Sequence, residues 1–221
     1  MMTTLIIARH GNTFGSNDTP TRVGAKTDTP LVKKGKAQGS AIGHYLKDND
    51  FLPDAVYSST LQRTKETAKL ALQACGISTH IYELDIFNEI DYGVDENQTE
   101  ETVIARIGKD AIEKWDKHAI APEGWHVDPD DIIQSWRNFA HQISKTHDTI
   151  TNNVMDLSET ILVVTSNGIA RFAPHITDEF EDFAANNAIK LSTGALGILK
   201  FSQGKWWVTA WNIRPSLNEC G

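Results

Sequence analysis

Thr3 to Ala8 is a short apolar, β-branched run that ends in Arg9-His10-Gly11, as expected of a buried strand running into a loop. Asn12 to Pro30 is rich in Thr, Gly, Asn, Asp and Pro, too polar and too interrupted for a regular element, which predicts a long functional loop. A helix is expected over Lys33 to Lys47, with Ala37, Ala41 and Leu46 near one stripe. Its Gly35, Gly39 and Gly43, spaced by four, suggest close packing on a sheet. Asp54 to Tyr57 reads as the next strand. Ser59, with Gln62 three residues on, makes a capping-box pattern for a helix that runs to about Cys75 and stops at Gly76. Arg63 falls in the first turn of that helix, where a long side chain leans back toward the sheet's C-terminal edge.

Ile81 to Leu84 is a weak strand candidate. From about residue 95 to 157 the reading is helical: Val103, Ile107, Ala111, Ile112, Trp115 and Ala119 repeat at helical spacing, as do Ile132, Ile133, Trp136, Phe139, Ala140 and Ile143. This segment is expected to be an insertion beside or above the sheet edge. Thr160 to Thr165 is the clearest buried strand, turned by Ser166-Asn167-Gly168 into a short helix over Ile169 to Ala173 that Pro174 closes. Ala195 to Phe201 and Trp206 to Ile213 form a terminal hairpin around Gly204, with one ring of Trp206-Trp207 in the core and one at the surface. Together these predict an α/β three-layer sandwich: a mixed, mostly parallel sheet, helices on both faces and a helical insertion, within one domain over residues 1–221.

Composition narrows the function classes. The 221 residues are 40% hydrophobic and 23% charged, within the range of ordinary globular proteins, and no internal repeat is present. Lys and Arg number 21 against 29 Asp and Glu, a net charge of −8 that argues against nucleic acid as the main partner. An anionic substrate would therefore need a local cluster of arginines. Two cysteines, Cys75 and Cys220, suggest neither a disulfide framework nor a cysteine metal site, and the cytoplasm is the expected compartment. The opening residues read as neither signal peptide nor membrane span, and no membrane partner is expected. Asp95-Glu96 and Glu100-Glu101 read as a solvated helix start.

The chemistry is suggested by Arg9-His10-Gly11, a cation beside an imidazole with a glycine that lets a ligand approach the backbone, at the end of a strand where α/β proteins bind ligands. A lone histidine after a strand is also compatible with a hydrogen-bonded structural role, the commoner one for such a residue. Further segments extend the pattern: Arg9-His10-Gly11-Asn12-Thr13; Arg22 followed by Asp28-Thr29-Pro30-Leu31, Gly35 and Gln38; Val56 to Thr64 with Arg63; and Asn88-Glu89-Ile90-Asp91-Tyr92-Gly93. In this order they resemble the histidine phosphatase superfamily, also called phosphoglycerate mutase-like, and its phosphatase branch in particular. Only the helical insertion is left largely unmatched.

The resemblance implies a metal-independent phosphomonoesterase without a cofactor, acting on a small phosphorylated metabolite through a phosphohistidine. His10 would be the nucleophile and Glu89 the proton donor to the leaving oxygen. Arg9 and Arg63 would grip the phosphoryl oxygens, with Arg22 either a third clamp or a surface arginine. The family carries a second histidine after its late strand, and here Asn167 stands in its place, able to donate a hydrogen bond but not to carry charge. His126 and His175 could substitute for it or be packing and surface residues. Asn167 also makes a non-catalytic phosphate-binding relative an alternative. A phosphoglycerate mutase is disfavoured by Asn12, where the family usually has Glu or Gln, and by the insertion. The substrate and the oligomeric state are not fixed by the sequence.

Overall fold

The computed structural model describes residues 2–150 and 159–217. Its centre is a six-stranded sheet in the order β3-β2-β4-β1-β5-β6. The strands are β1 (Thr3–Arg9), β2 (Ala55–Ser58), β3 (Ile81–Glu83), β4 (Glu159–Thr165), β5 (Leu196–Ser202) and β6 (Lys205–Ile213). β1, β2, β3 and β4 run parallel, and β5 and β6 add an antiparallel pair beside β1.

Period-two alternation divides the strand residues between two cores. Leu5, Ile7, Ile161, Val163 and Leu199 face one side, and Ile6, Ala8, Val56, Leu162, Val164 and Ile198 face the other. The second side is covered by α1 (Lys33–Asp48) and α2 (Gln62–Cys75) through Ile42, Leu46, Ala68, Ala71 and Leu72. The core on the first side takes in α3 (Glu100–Ile107), α4 (Lys109–His118), α5 (Pro129–Ile150) and α6 (Asn167–Ala170). Three layers result, as the strand and helix alternation predicts.

The helical segment divides between two positions. Phe139 of α5 packs edge-on against Tyr57 of β2, on the sheet face, while Glu100 of α3 and Trp115 and Asp116 of α4 lie with Arg9 and His10 beyond the carboxyl end of β1, above the sheet edge. Periodicity reveals an apolar stripe but not the surface it covers. Residues 151–157 of the expected insertion lie outside the described residues, as does Cys220.

Local chemistry also departs from the simple motifs. Ser59 does not cap α2. Its hydroxyl pairs with Thr64 at 2.6 Å, and Asp28 from the long loop accepts from the Gln62 amide at 2.8 Å instead. Gly76 does end α2, with φ of 75° in the left-handed region. Gly39 and Gly43 pack on α2 rather than on the sheet, since a Cβ at Gly43 would lie 2.1 Å from the Ala71 carbonyl oxygen. Pro174 starts a 3-10 turn over Ala173–Ile176 instead of closing a helix, and α7 (Phe180–Asn186) forms where no apolar stripe announced it. The terminal hairpin forms as expected, with Trp206 buried and Trp207 exposed.

Asp95 and Glu96 are not a solvated helix start. Asp95 is buried against Arg106 and the Trp125 indole N–H, and Glu96 accepts from the Gly24 and Lys26 amides and the Thr27 hydroxyl. These bonds order the far half of the long loop. The sequence cannot distinguish a solvated acidic pair from one that accepts loop amides.

Candidate active site

β1 and β4 are neighbours, and the segments that follow them leave toward opposite faces: α1 packs on one core and α6 on the other. This divergence opens a crevice at the carboxyl ends of the parallel strands, where open α/β sheets place ligands. A cavity of about 520 Å³ lies there, with Arg9, His10, Glu89, Asn167 and Arg171 in its wall and Arg22 and Glu100 among its other lining residues.

His10 follows β1 directly and is buried. Its Nδ1 lies 2.7 Å from the Gly11 carbonyl, a bond that requires the proton on Nδ1 and leaves Nε2 with the lone pair. Burial, and then the Arg63 and Arg9 charges, hold the imidazole well below its ordinary pKa and therefore neutral. The turn is fixed from below. The Gly11 amide donates to the Thr67 hydroxyl at 3.1 Å, and a Cβ on Gly11 would lie 2.2 Å from the Gly35 carbonyl oxygen. Only glycine lets the loop and α1 approach so closely.

Glu89 reaches the same cavity from the segment after β3. Its oxygens accept from the Ile90 amide at 3.0 Å and the Gly168 amide at 3.3 Å. Burial raises its pKa, with Arg63, those two amides and Arg9 opposing in that order. Gly168 is required by this contact, because a Cβ there would sit 2.0 Å from Glu89 Oε1.

The expected arginines separate. Arg9 lines the cavity and donates to the Leu191 carbonyl at 2.7 Å, with its Nε buried and unpartnered. Arg22 lines the cavity, is bonded to Glu100 and stacks 4.8 Å from the Trp125 ring. Arg63 does not line it. Fully buried, it donates to the Thr27 carbonyl at 2.8 Å and the Gly24 carbonyl at 3.2 Å, holding the long loop against α2. Replacing Arg63 by lysine should lower stability by about 1–3 kcal/mol, because an ammonium cannot serve both carbonyls in this fork. Urea unfolding checks this, and a variant with an unchanged midpoint but impaired turnover would place Arg63 on substrate rather than on the loop.

Asn167 lines the cavity at the start of α6. Its side-chain oxygen accepts from the Leu191 amide at 2.9 Å, so its NH2 group is what it can offer a ligand. Neither alternative histidine joins it. His126 is 69% exposed at its side chain and bonded to Asp91, and His175 stacks on Phe180, where burial pulls its pKa down to about 4. Sequence reading missed Arg171, Asp116 and Lys190, which also line the cavity. Arg171 had a signal: it follows Asn167 by four residues at the start of a short helix, which puts both on one face. Among the described residues no group of three or more His, Cys, Asp or Glu could hold a metal ion. No helix among them is long and apolar enough to cross a membrane.

Comparison with known proteins places this geometry in context. Residues 5–214 match the family model of the histidine phosphatase superfamily (branch 1), a range that includes the helical segment. A 2,3-bisphosphoglycerate-dependent phosphoglycerate mutase of Clavibacter sepedonicus is 29% identical over 133 residues, covering 60% of this chain and 52% of that protein. The chain thus spans about half the length of that curated relative. Among solved structures, mycobacterial glucosyl-3-phosphoglycerate phosphatase superposes with a TM-score of 0.76 at 17% identity, covering 96% of this chain and 99% of that one. The α-ribazole phosphatase of Shigella flexneri gives 0.67 at 20% identity, covering 96% of each chain.

Proposed function

Since the chain belongs to the histidine phosphatase superfamily, we propose that it is a metal-independent phosphomonoesterase that acts on a small phosphorylated metabolite through a phosphohistidine. The observation that carries this reading is a neutral, Nδ1-protonated His10 beside half-buried Arg9 in the cavity wall, with the buried Arg63 guanidinium behind them. Among the described residues no carboxylate lies within ion-pair distance of Arg9, whose Nε is buried without a partner. A buried cation without a counter-ion is costly, and a phosphoryl dianion removes that cost. In a chain of net charge −8, this local positive field is what an anionic ligand requires.

His10 Nε2 attacks phosphorus, a P–N bond forms and the bond to the leaving oxygen breaks. Arg9 and the Asn167 NH2 group bind the phosphoryl oxygens as charge shifts onto them. Glu89, whose pKa burial raises, gives its proton to the leaving oxygen. The resulting carboxylate takes a proton from water, whose oxygen attacks phosphorus, so that phosphate leaves, His10 is regenerated and Glu89 is again protonated.

This fixes the sign of the pH dependence. His10 must be neutral and its pKa is depressed, so turnover should not decline as pH falls from 7 to about 6.5, the ordinary histidine value. Glu89 must be protonated and its pKa is raised, so the alkaline side should fall as it ionises, most steeply for alkyl phosphates. Rates of an alkyl phosphate from about pH 5 to 9 test this. A decline that starts above pH 7 on the acid side would show His10 titrating as an ordinary histidine.

Asn167 supports a second reading, a phosphate-binding relative without turnover. Incubation with an aryl phosphate in the presence of a chelator separates the two: inorganic phosphate release supports the phosphatase. Vanadate binding without release supports the second reading, and conversion of a phosphoglycerate isomer without release would support a mutase.

A further inference from the structure

We propose, on the basis of the phosphatase reading, that Arg171 is a phosphoryl-binding residue, supplying from one helical turn beyond Asn167 the positive charge that the asparagine cannot carry. Arg171 is 2% exposed and lines the cavity together with Asn167. Its Nε donates to the Asn167 carbonyl at 3.3 Å, its Nη1 to the Trp115 carbonyl at 2.6 Å, and its guanidinium lies 4.3 Å over the Trp115 ring. These contacts fix a planar cation at the wall and leave further N–H donors on Nη1 and Nη2.

Its charge is poorly matched. The acidic groups near it are Asp116 on α4 and Glu89 after β3, with the Tyr92 phenol beside them and Arg9 on β1 repelling it. Asp116 lies 3.5 Å from Arg171 but also 2.9 Å from Lys190, and it is partly exposed, so it is shared and solvated. Glu89 is held toward its neutral form. Arg9 and Arg171 therefore line one cavity with no carboxylate dedicated to either, an arrangement that an anion between them would relieve. A guanidinium stays charged at every working pH, unlike an imidazole.

A purely structural Arg171, tying α4 to α6, would make the same contacts. Two substitutions, made singly and together, separate the possibilities. If the charge is already supplied, Asn167→His should lower kcat severalfold, because the imidazole stays neutral between two guanidiniums and the bond to the Leu191 amide is disturbed. A gain of about tenfold or more would show that the charge is missing from the wild-type site and overturn the proposal. Arg171→Met should lower kcat on an aryl phosphate by about 100- to 1000-fold and weaken vanadate inhibition comparably. Adding Asn167→His to Arg171→Met should then restore rate below about pH 6.5 and lose it above, since an imidazolium replaces the guanidinium. A structural arginine predicts no such rescue, so a folded double variant no faster than Arg171→Met at any pH overturns the proposal, as does Arg171→Met with wild-type rate. If Arg171→Met does not fold, the Asn167→His rate decides alone. Wild-type protein that neither releases phosphate nor binds vanadate would fail the phosphatase reading itself, a result distinct from these.

Discussion

His10→Ala is expected to abolish phosphate release, lowering turnover of an aryl phosphate by on the order of 10⁴-fold or more, while the protein stays folded. His10 lies at the end of a strand, and its side chain's one hydrogen bond among the described residues goes to the adjacent Gly11 carbonyl. The surrounding frame is held by other groups: the Gly11 amide on Thr67, the His10 amide on the Thr165 carbonyl at 3.0 Å and the Gly194 amide on the His10 carbonyl at 3.1 Å. All of these survive truncation of the side chain. The variant should therefore melt within a few degrees of wild type and still bind vanadate through the arginines. Turnover near the wild-type rate would remove His10 as the nucleophile.

Glu89→Gln is expected to slow alkyl phosphate hydrolysis by about 10²- to 10⁴-fold and aryl phosphate hydrolysis far less. An alkoxide is a poor leaving group and needs a proton as the bond breaks, whereas an acidic phenol departs as its anion. Glutamine keeps the shape of the side chain but has no proton to give at that oxygen. The alkaline fall in the alkyl phosphate profile should disappear with it. Gly168→Ala should reproduce the selectivity, because the added methyl group displaces the Glu89 carboxyl that approaches that carbon. Equal losses on both substrates would show that Glu89 is not the proton donor.

Much of this arrangement was legible in the sequence because it is local. β1 and β4 are apolar runs that must be buried, and the polar residues that end them, Arg9-His10-Gly11 and Ser166-Asn167-Gly168, fall at one edge once the strands pair in parallel. Glu89 was found through the motif around it, but its raised pKa depends on what buries it. What was hidden was the partner of each long side chain. Arg63 in the first turn of α2 is the expected position, yet its Nη1 and Nη2 go to the Thr27 and Gly24 carbonyls and only its buried Nε is left without a partner. Arg171 and Asp116 are far apart in sequence and meet only because α4 shares one core with α6. Asp28 replaces Ser59 in bonding the start of α2 for a similar reason: a loop amide has no signature that says which distant carboxylate will reach it.

The most direct test of the account is to trap the enzyme during turnover. Wild-type protein mixed with an aryl phosphate, quenched rapidly in alkali and digested, should yield the peptide containing His10 carrying one phosphoryl group that is stable to alkali and lost in acid. The same quench of His10→Ala should yield none. Turnover in which His10 is never phosphorylated, or a phosphoryl group found on another residue, would contradict it.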